Sequence, residues 1–143
     1  MTDIKRISPK EASDKLAEGF TYVDVRTTEE FEAGHPAGAV NVPLALSAGG
    51  SMAPNQDFLS VMGIAFAKDA RIVVGCKSGG RSMRAAQALV ADGFTSVVDQ
   101  RAGWDGGRDP FGQVEPGWSR VGLPVEQGQP AGRSWKDMKA KGK

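Results

Sequence analysis

The chain has 143 residues, 40% of them hydrophobic and 24% charged, with a formal net charge of +1. That length and composition suit one globular domain built on a single core. A near-neutral balance supplies no field to recruit nucleic acid, and 7% aromatic residues offer few stacking platforms. No apolar run approaches bilayer-spanning length, so no membrane association is expected. Met1 to Phe20 is charged and lacks the apolar stretch of a secretory signal. The lone cysteine excludes an internal disulfide and fits a reducing compartment, so the expected location is cytoplasmic.

Ser8-Pro9-Lys10-Glu11 places a serine cap before proline, with glutamate three residues after the cap. This capping box predicts a helix from Pro9 to about Glu18, closed by Gly19. Phe20 to Val25 reads as a strand, and Thr27-Thr28-Glu29-Glu30 repeats the capping box for a short helix ending at Gly34. Ala39 to Val42 is a brief strand stopped by Pro43. Ser47 to Pro54, small and containing Gly49-Gly50, reads as a flexible loop. Asn55 to Lys68 carries apolar residues at helical spacing.

Arg71 to Gly75 shows no polar alternation and should be a central strand buried on both faces. The helix-forming run after Arg81 should stop at Gly93, and Thr95 to Val98 reads as the last strand. Gln100 to Pro116, rich in Gly, Asp, Arg and Pro, reads as a long loop. Residues 128–143 are expected to be a basic, solvated and mobile tail, carrying Arg133, Lys136, Lys139, Lys141 and Lys143 behind a domain of residues 1–127. Strands alternating with helices predict an α/β fold with a mainly parallel sheet, whose functional crevice lies beyond the carboxyl ends of its strands.

The cysteine occupies that position. Cys76-Lys77-Ser78-Gly79-Gly80-Arg81 joins the apolar strand to a helix start, where backbone N–H groups converge and the helix dipole favours negative charge. Two glycines let the loop curl so that consecutive amides turn inward as an anion nest. Lys77 and Arg81 add positive charge at the rim. These effects favour a thiolate, the nucleophilic form of cysteine. An inert core cysteine would have apolar neighbours instead.

Asp24-Val25-Arg26, the run Glu30 to Pro43 with Gly34-His35-Pro36-Ala37-Gly38-Ala39-Val40-Asn41-Val42-Pro43, and the Cys76 to Arg81 loop together resemble the rhodanese-like sulfurtransferase domain. The similarity runs from about Ile7 through Gly122-Leu123-Pro124-Val125. The resemblance implies a mainly parallel central sheet of about five strands flanked by helices. It also implies that Cys76 carries a persulfide, taking a sulfane sulfur from thiosulfate or a similar small donor and passing it to cyanide, a small thiol, or a thioredoxin-like or other acceptor protein. No His/Cys/Asp/Glu cluster has metal-ligand spacing and no Walker or dinucleotide glycine motif is present, so no metal or other cofactor is expected. The family's closing element, usually two glycines and then an aromatic residue, stands here as Ala102-Gly103-Trp104, and Asp105 to Pro116 looks like an insertion before Trp118.

Lys77 and Arg81 are the candidates for holding the donor's oxygens, with Arg81 equally suited to bonding the loop's own carbonyls. Gly79 and Gly80 supply amides, and Ser78 bonds either the sulfur or the turn. Asp24 and Arg26 are expected to pair near the site and fix the strand-end loops. His35, the only histidine, sits in a Gly-His-Pro turn and is expected to be structural rather than a base for Cys76. Two rivals remain. A non-enzymatic persulfide carrier or regulatory module would form the persulfide without turnover. A phosphatase or arsenate reductase would use a Cys–Arg loop one residue longer, a cradle sized for a tetrahedral anion.

Overall fold

The computed structural model describes residues 4–48 and 50–141. Gly49 of the expected 47–54 loop, Lys143 of the expected tail, and Met1 to Asp3 of the N-terminal segment lie outside them. In chain order the regular elements begin with β1 (Lys5–Ile7), α1 (Pro9–Ala17), β2 (Thr21–Asp24), α2 (Thr28–Ala33), β3 (His35–Pro36) and β4 (Val40–Asn41). They continue with β5 (Ala45–Ala48), β6 (Ser51–Pro54), α3 (Phe58–Ala65), β7 (Arg71–Gly75), α4 (Gly80–Ala91) and β8 (Ser96–Gln100). The last are β9 (Gly106–Arg108), β10 (Val114–Pro116), β11 (Val125–Glu126) and α5 (Trp135–Ala140).

Both capping boxes form. Ser8 Oγ accepts the Glu11 amide at 3.1 Å while the Glu11 carboxylate accepts the Ser8 amide at 3.0 Å. Thr27 and Glu30 make the same reciprocal pair at the start of α2. Satisfying two otherwise orphaned donors at each start sets where these short helices begin.

The central sheet has five parallel strands in the order β1-β8-β7-β2-β4, with β7 in the middle. Ile72, Val73 and Val74 of β7 are fully buried, as a strand covered on both faces requires. Successive side chains point to opposite faces. Val73 joins Ile7, Ala12, Tyr22, Phe31 and Trp118 on one side. Ile72 and Val74 join residues of α3, α4 and α5 on the other, and Cys76, two residues beyond Val74, belongs to that second cluster.

Three sequence expectations change. The 47–54 loop is part of an antiparallel hairpin, β5 with β6, in the register Ala45↔Pro54 to Ala48↔Ser51. Its strands are short and small-residued, without the alternation that marks a strand, so only the Gly-Gly step hinted at a hairpin. The 100–116 loop starts as the end of β8 and holds a second hairpin, in which Val114, Glu115 and Pro116 pair with Arg108, Gly107 and Gly106. The basic tail is not a solvated appendage over its described length. Ser134 Oγ accepts the Asp137 amide at 3.2 Å to start α5, and Trp135 and Met138, three residues apart, bury themselves in the core. Strands β1 and β11, too short to announce themselves by pattern, pair with β8 and β3.

Candidate active site

Cys76 lies immediately past the carboxyl end of the middle strand and is 2% exposed. The following loop turns at Gly79, whose φ of +101° lies in the left-handed region, and α4 starts at Gly80. An added Cβ at Gly79 would lie 2.5 Å from the Arg101 carbonyl oxygen, so both the turn and the close approach require glycine. Gly80 has open space at its Cβ position. Of the two glycines, only the first is needed for the curl.

That curl directs the Gly79 amide at the sulfur, with N to Sγ at 3.1 Å. Among the described residues it is the one loop amide that bonds Sγ, rather than the full ring of amides expected from the sequence. A second polar neighbour comes from α4: the thiol donates to Ser82 Oγ at 3.5 Å, and the Ser82 hydroxyl donates to the Gly79 carbonyl at 3.3 Å. Ser82 is fully buried.

The loop is held from behind by residues 100–105. The amides of Trp104 and Asp105 donate to the carbonyls of Cys76 and Lys77 at 2.8 and 2.9 Å. Gly103, at φ +67°, permits the approach, because a Cβ there would sit 2.5 Å from both carbonyl oxygens. Gln100 pins this turn by accepting the Ala102 and Gly103 amides at 2.9 Å each. Ala102-Gly103-Trp104 therefore closes the loop through its backbone, with glycine needed at the second position.

The rim cations differ from one another. Lys77 is exposed and reaches Asp105 at 3.8 Å, a solvent-screened pair that constrains it little. Arg81 bonds Glu30 bidentately at 2.7 and 3.0 Å, and it bonds the hairpin Met52 rather than the loop carbonyls. Burial pushes the Glu30 carboxyl up, but the Arg81 hydrogen bond and the Thr27 cap outweigh it and hold it at about 2. The Glu30 hydrogen bond in turn raises the Arg81 guanidinium above its ordinary value, and Cys76 and Asp24 add to this through charge. The Arg81 charge is thus held by Glu30, close enough to Cys76 to interact with it electrostatically. Glu30 had been legible only as a cap residue. Ser78 is exposed on the loop, and its side chain makes no bond to Sγ among the described residues.

Asp24 and Arg26 form the expected pair, fully desolvated. Arg26 donates to both Asp24 oxygens at 2.7 to 3.1 Å and to the Gly34 carbonyl at 2.6 Å, tying the end of β2 to the end of α2. Asp24 is in register with Gly75, the residue before the cysteine. Asn41 closes the arrangement by donating to the Asp24 and Arg26 carbonyls at 3.0 Å each. His35 is also fully buried, stacked on Phe31, with Nδ1 on the Phe31 carbonyl at 2.7 Å and Nε2 on Glu126 at 3.0 Å. Both ring nitrogens are engaged away from Cys76.

Sequence reasoning missed Arg6, Ser82 and Asp99. Arg6 and Asp99 face each other across the parallel pair β1–β8 and bond at 2.7 Å, and Arg6 also reaches the Gly79 carbonyl at 3.2 Å. The available signal was a lone carboxylate directly after the apolar pair Val97-Val98.

Residues 8–109 match the family described as Rhodanese-like domain. The chain belongs to the rhodanese-like family. Its relatives include Thiosulfate sulfurtransferase 16, chloroplastic, of Arabidopsis thaliana, 39% identical over 120 residues that cover 84% of this chain and 91% of that one. Thiosulfate sulfurtransferase GlpE of Haemophilus influenzae is 30% identical over 122 residues, 85% of this chain and 94% of that one. Two further plant relatives are matched over 60% of their length. Among solved rhodanese-like folds, the crystal structure of Rv0390 from M. tuberculosis superposes with a TM-score of 0.73 at 29% identity, over 89% of this chain and all of that one. Among the described residues, no helix is long and apolar enough to cross a membrane.

Proposed function

We propose that this rhodanese-like protein is a thiosulfate sulfurtransferase that works through a persulfide on Cys76. The Cys76 thiolate attacks the outer sulfur of thiosulfate. A bond forms between Sγ and that sulfur, the S–S bond of thiosulfate breaks, and its electron pair leaves on sulfite. A thiol acceptor, or cyanide in a test tube, then attacks the outer sulfur, and the S–S electron pair returns to Sγ as the thiolate. The two half-reactions give ping-pong kinetics. Lys77 and Arg81 attract the dianionic donor, while Asp24 and Arg26 hold the neighbouring strand ends in place.

The observation that carries this reading is the Gly79 N–H aimed at Sγ at 3.1 Å, from a turn whose φ of +101° and close approach to the Arg101 carbonyl both call for glycine. A hydrogen bond to the charged form of a group favours that form. Fixed donors at a site of developing charge are often the largest catalytic contribution. The names of the two relatives above support the same donor.

The test is thiocyanate formation from thiosulfate and cyanide. Steady turnover in the wild type and none in Cys76→Ser is expected. The near-complete burial of Cys76 favours a second reading, a persulfide carrier that loads but turns over slowly. A persulfide that forms without thiocyanate accumulating would favour the carrier.

A further inference from the structure

Asp99 is a fully buried carboxylate with no place in the chemistry above. Its Oδ2 accepts from Arg6, while its Oδ1 has no hydrogen-bond partner among the described residues. An unpaired carboxylate oxygen in a core costs about 1–3 kcal/mol, so its persistence asks for a purpose. Arg6 from β1 and Ser82 from α4 are the polar groups that act on it. Burial raises its pKa, against the lowering effects of the Ser82 hydroxyl and of Arg6. Cys76 and Asp99 lie on the same face of the sheet, where β7 and β8 pair Val74 with Asp99, and Ser82, bonded to Cys76 at 3.5 Å, also acts on Asp99.

We propose that Ser82 and Asp99 form a buried relay that accepts the Cys76 thiol proton. In the resting arrangement the thiol donates to Ser82 Oγ, and the Ser82 hydroxyl points at the Gly79 carbonyl. Rotating that hydroxyl toward Asp99 Oδ1 leaves the Gly79 carbonyl still bonded by Arg6 at 3.2 Å and by the Met83 amide at 3.2 Å. The proton on Sγ then passes to Ser82 Oγ as the original Ser82 proton passes to Asp99 Oδ1. The S–H bond breaks, an O–H bond forms on the carboxyl group, and the negative charge moves from Asp99 to Sγ. The Gly79 amide and Arg81 receive that charge. The inference rests on Cys76 being the nucleophile, and it supplies the base that a histidine does not.

The test reads the thiol rather than sulfur transfer. The rate of Cys76 alkylation by iodoacetamide is measured against pH for wild type, Ser82→Ala, Ser82→Thr and Asp99→Asn, with folding checked by thermal melts. Loss of a general base commonly costs a hundredfold or more, and here about tenfold or greater slowing at neutral pH is expected in Ser82→Ala and Asp99→Asn. Their profiles should move to higher pH and meet the wild type where the thiol ionises unaided, with Ser82→Thr restoring the wild-type curve. Superimposable profiles overturn the relay. So does a profile moved by Ser82→Ala but not by Asp99→Asn, since Ser82 would then act alone. Should Asp99→Asn fail to fold, a proton inventory on the wild type in mixed H2O and D2O decides: a two-proton curve supports the relay and a linear one overturns it. Absence of thiocyanate in the wild type would defeat the proposed function while leaving this alkylation test intact.

Discussion

Alanine placed separately at the two adjacent loop glycines should give opposite results. At Gly79 the backbone sits at φ +101°, where an L-residue costs about 1–3 kcal/mol. The new Cβ would also lie 2.5 Å from a backbone carbonyl and 2.8 Å from Arg6, and forced overpacking adds about 1–3 kcal/mol. Gly79→Ala is therefore expected to lose about 2–6 kcal/mol, a large part of a typical domain's 5–15 kcal/mol. Any folded fraction would have its amide displaced from Sγ, and losing one such donor costs about a hundred- to a thousandfold in kcat. At Gly80 the Cβ meets nothing within 4 Å among the described residues, so alanine at this helix start should stabilise by about 0.4–1 kcal/mol. Urea denaturation and the thiocyanate assay on both variants measure these effects. Equal effects at the two positions, or a stable and fully active Gly79→Ala, would refute the strained-loop reasoning.

Trp135→Ala should cost about 3–5 kcal/mol by denaturant melt, because the side chain is a core member; a mobile tail would show no change. Glu30→Gln removes the bidentate partner of Arg81 and should lower stability by about 2 kcal/mol at pH 7. The folded-state pKa of Glu30 is depressed to about 2, so its contribution is full above the unfolded carboxylate range and fades as pH falls toward 2. Melts of wild type and Glu30→Gln should accordingly converge between about pH 4 and pH 2. Lys77→Ala should raise KM for thiosulfate with the fold intact, and Arg81→Ala should do so while also losing stability; unchanged kinetics in both would remove the anion-binding assignment.

The parts of the fold carried by strong local signals could be read directly. Ser8 and Thr27 announced their capping boxes, and the uninterrupted apolar run at Ile72 to Val74 announced a central strand, which together placed Cys76 at a strand-to-helix junction. Elements held by tertiary pairing could not be read, because β1, β5 and β9 are too short for pattern and exist through their partners. The site divided along the same line. Cys76, Gly79 and the Asp24–Arg26 pair follow from local chemistry. The Arg81–Glu30 and Arg6–Asp99 pairs join residues 51 and 93 positions apart, and no local window contains both partners. The basic residues of the C-terminal segment masked Trp135 and Met138, whose three-residue spacing marks the buried stripe of α5.

Intact mass spectrometry after incubation with thiosulfate, followed by removal of excess donor, interrogates Cys76 directly. A single added sulfur of about 32 Da on the wild type, discharged by cyanide and absent from Cys76→Ala, is the expected result. An unmodified wild-type mass, or the same increment on Cys76→Ala, would contradict a persulfide on this residue.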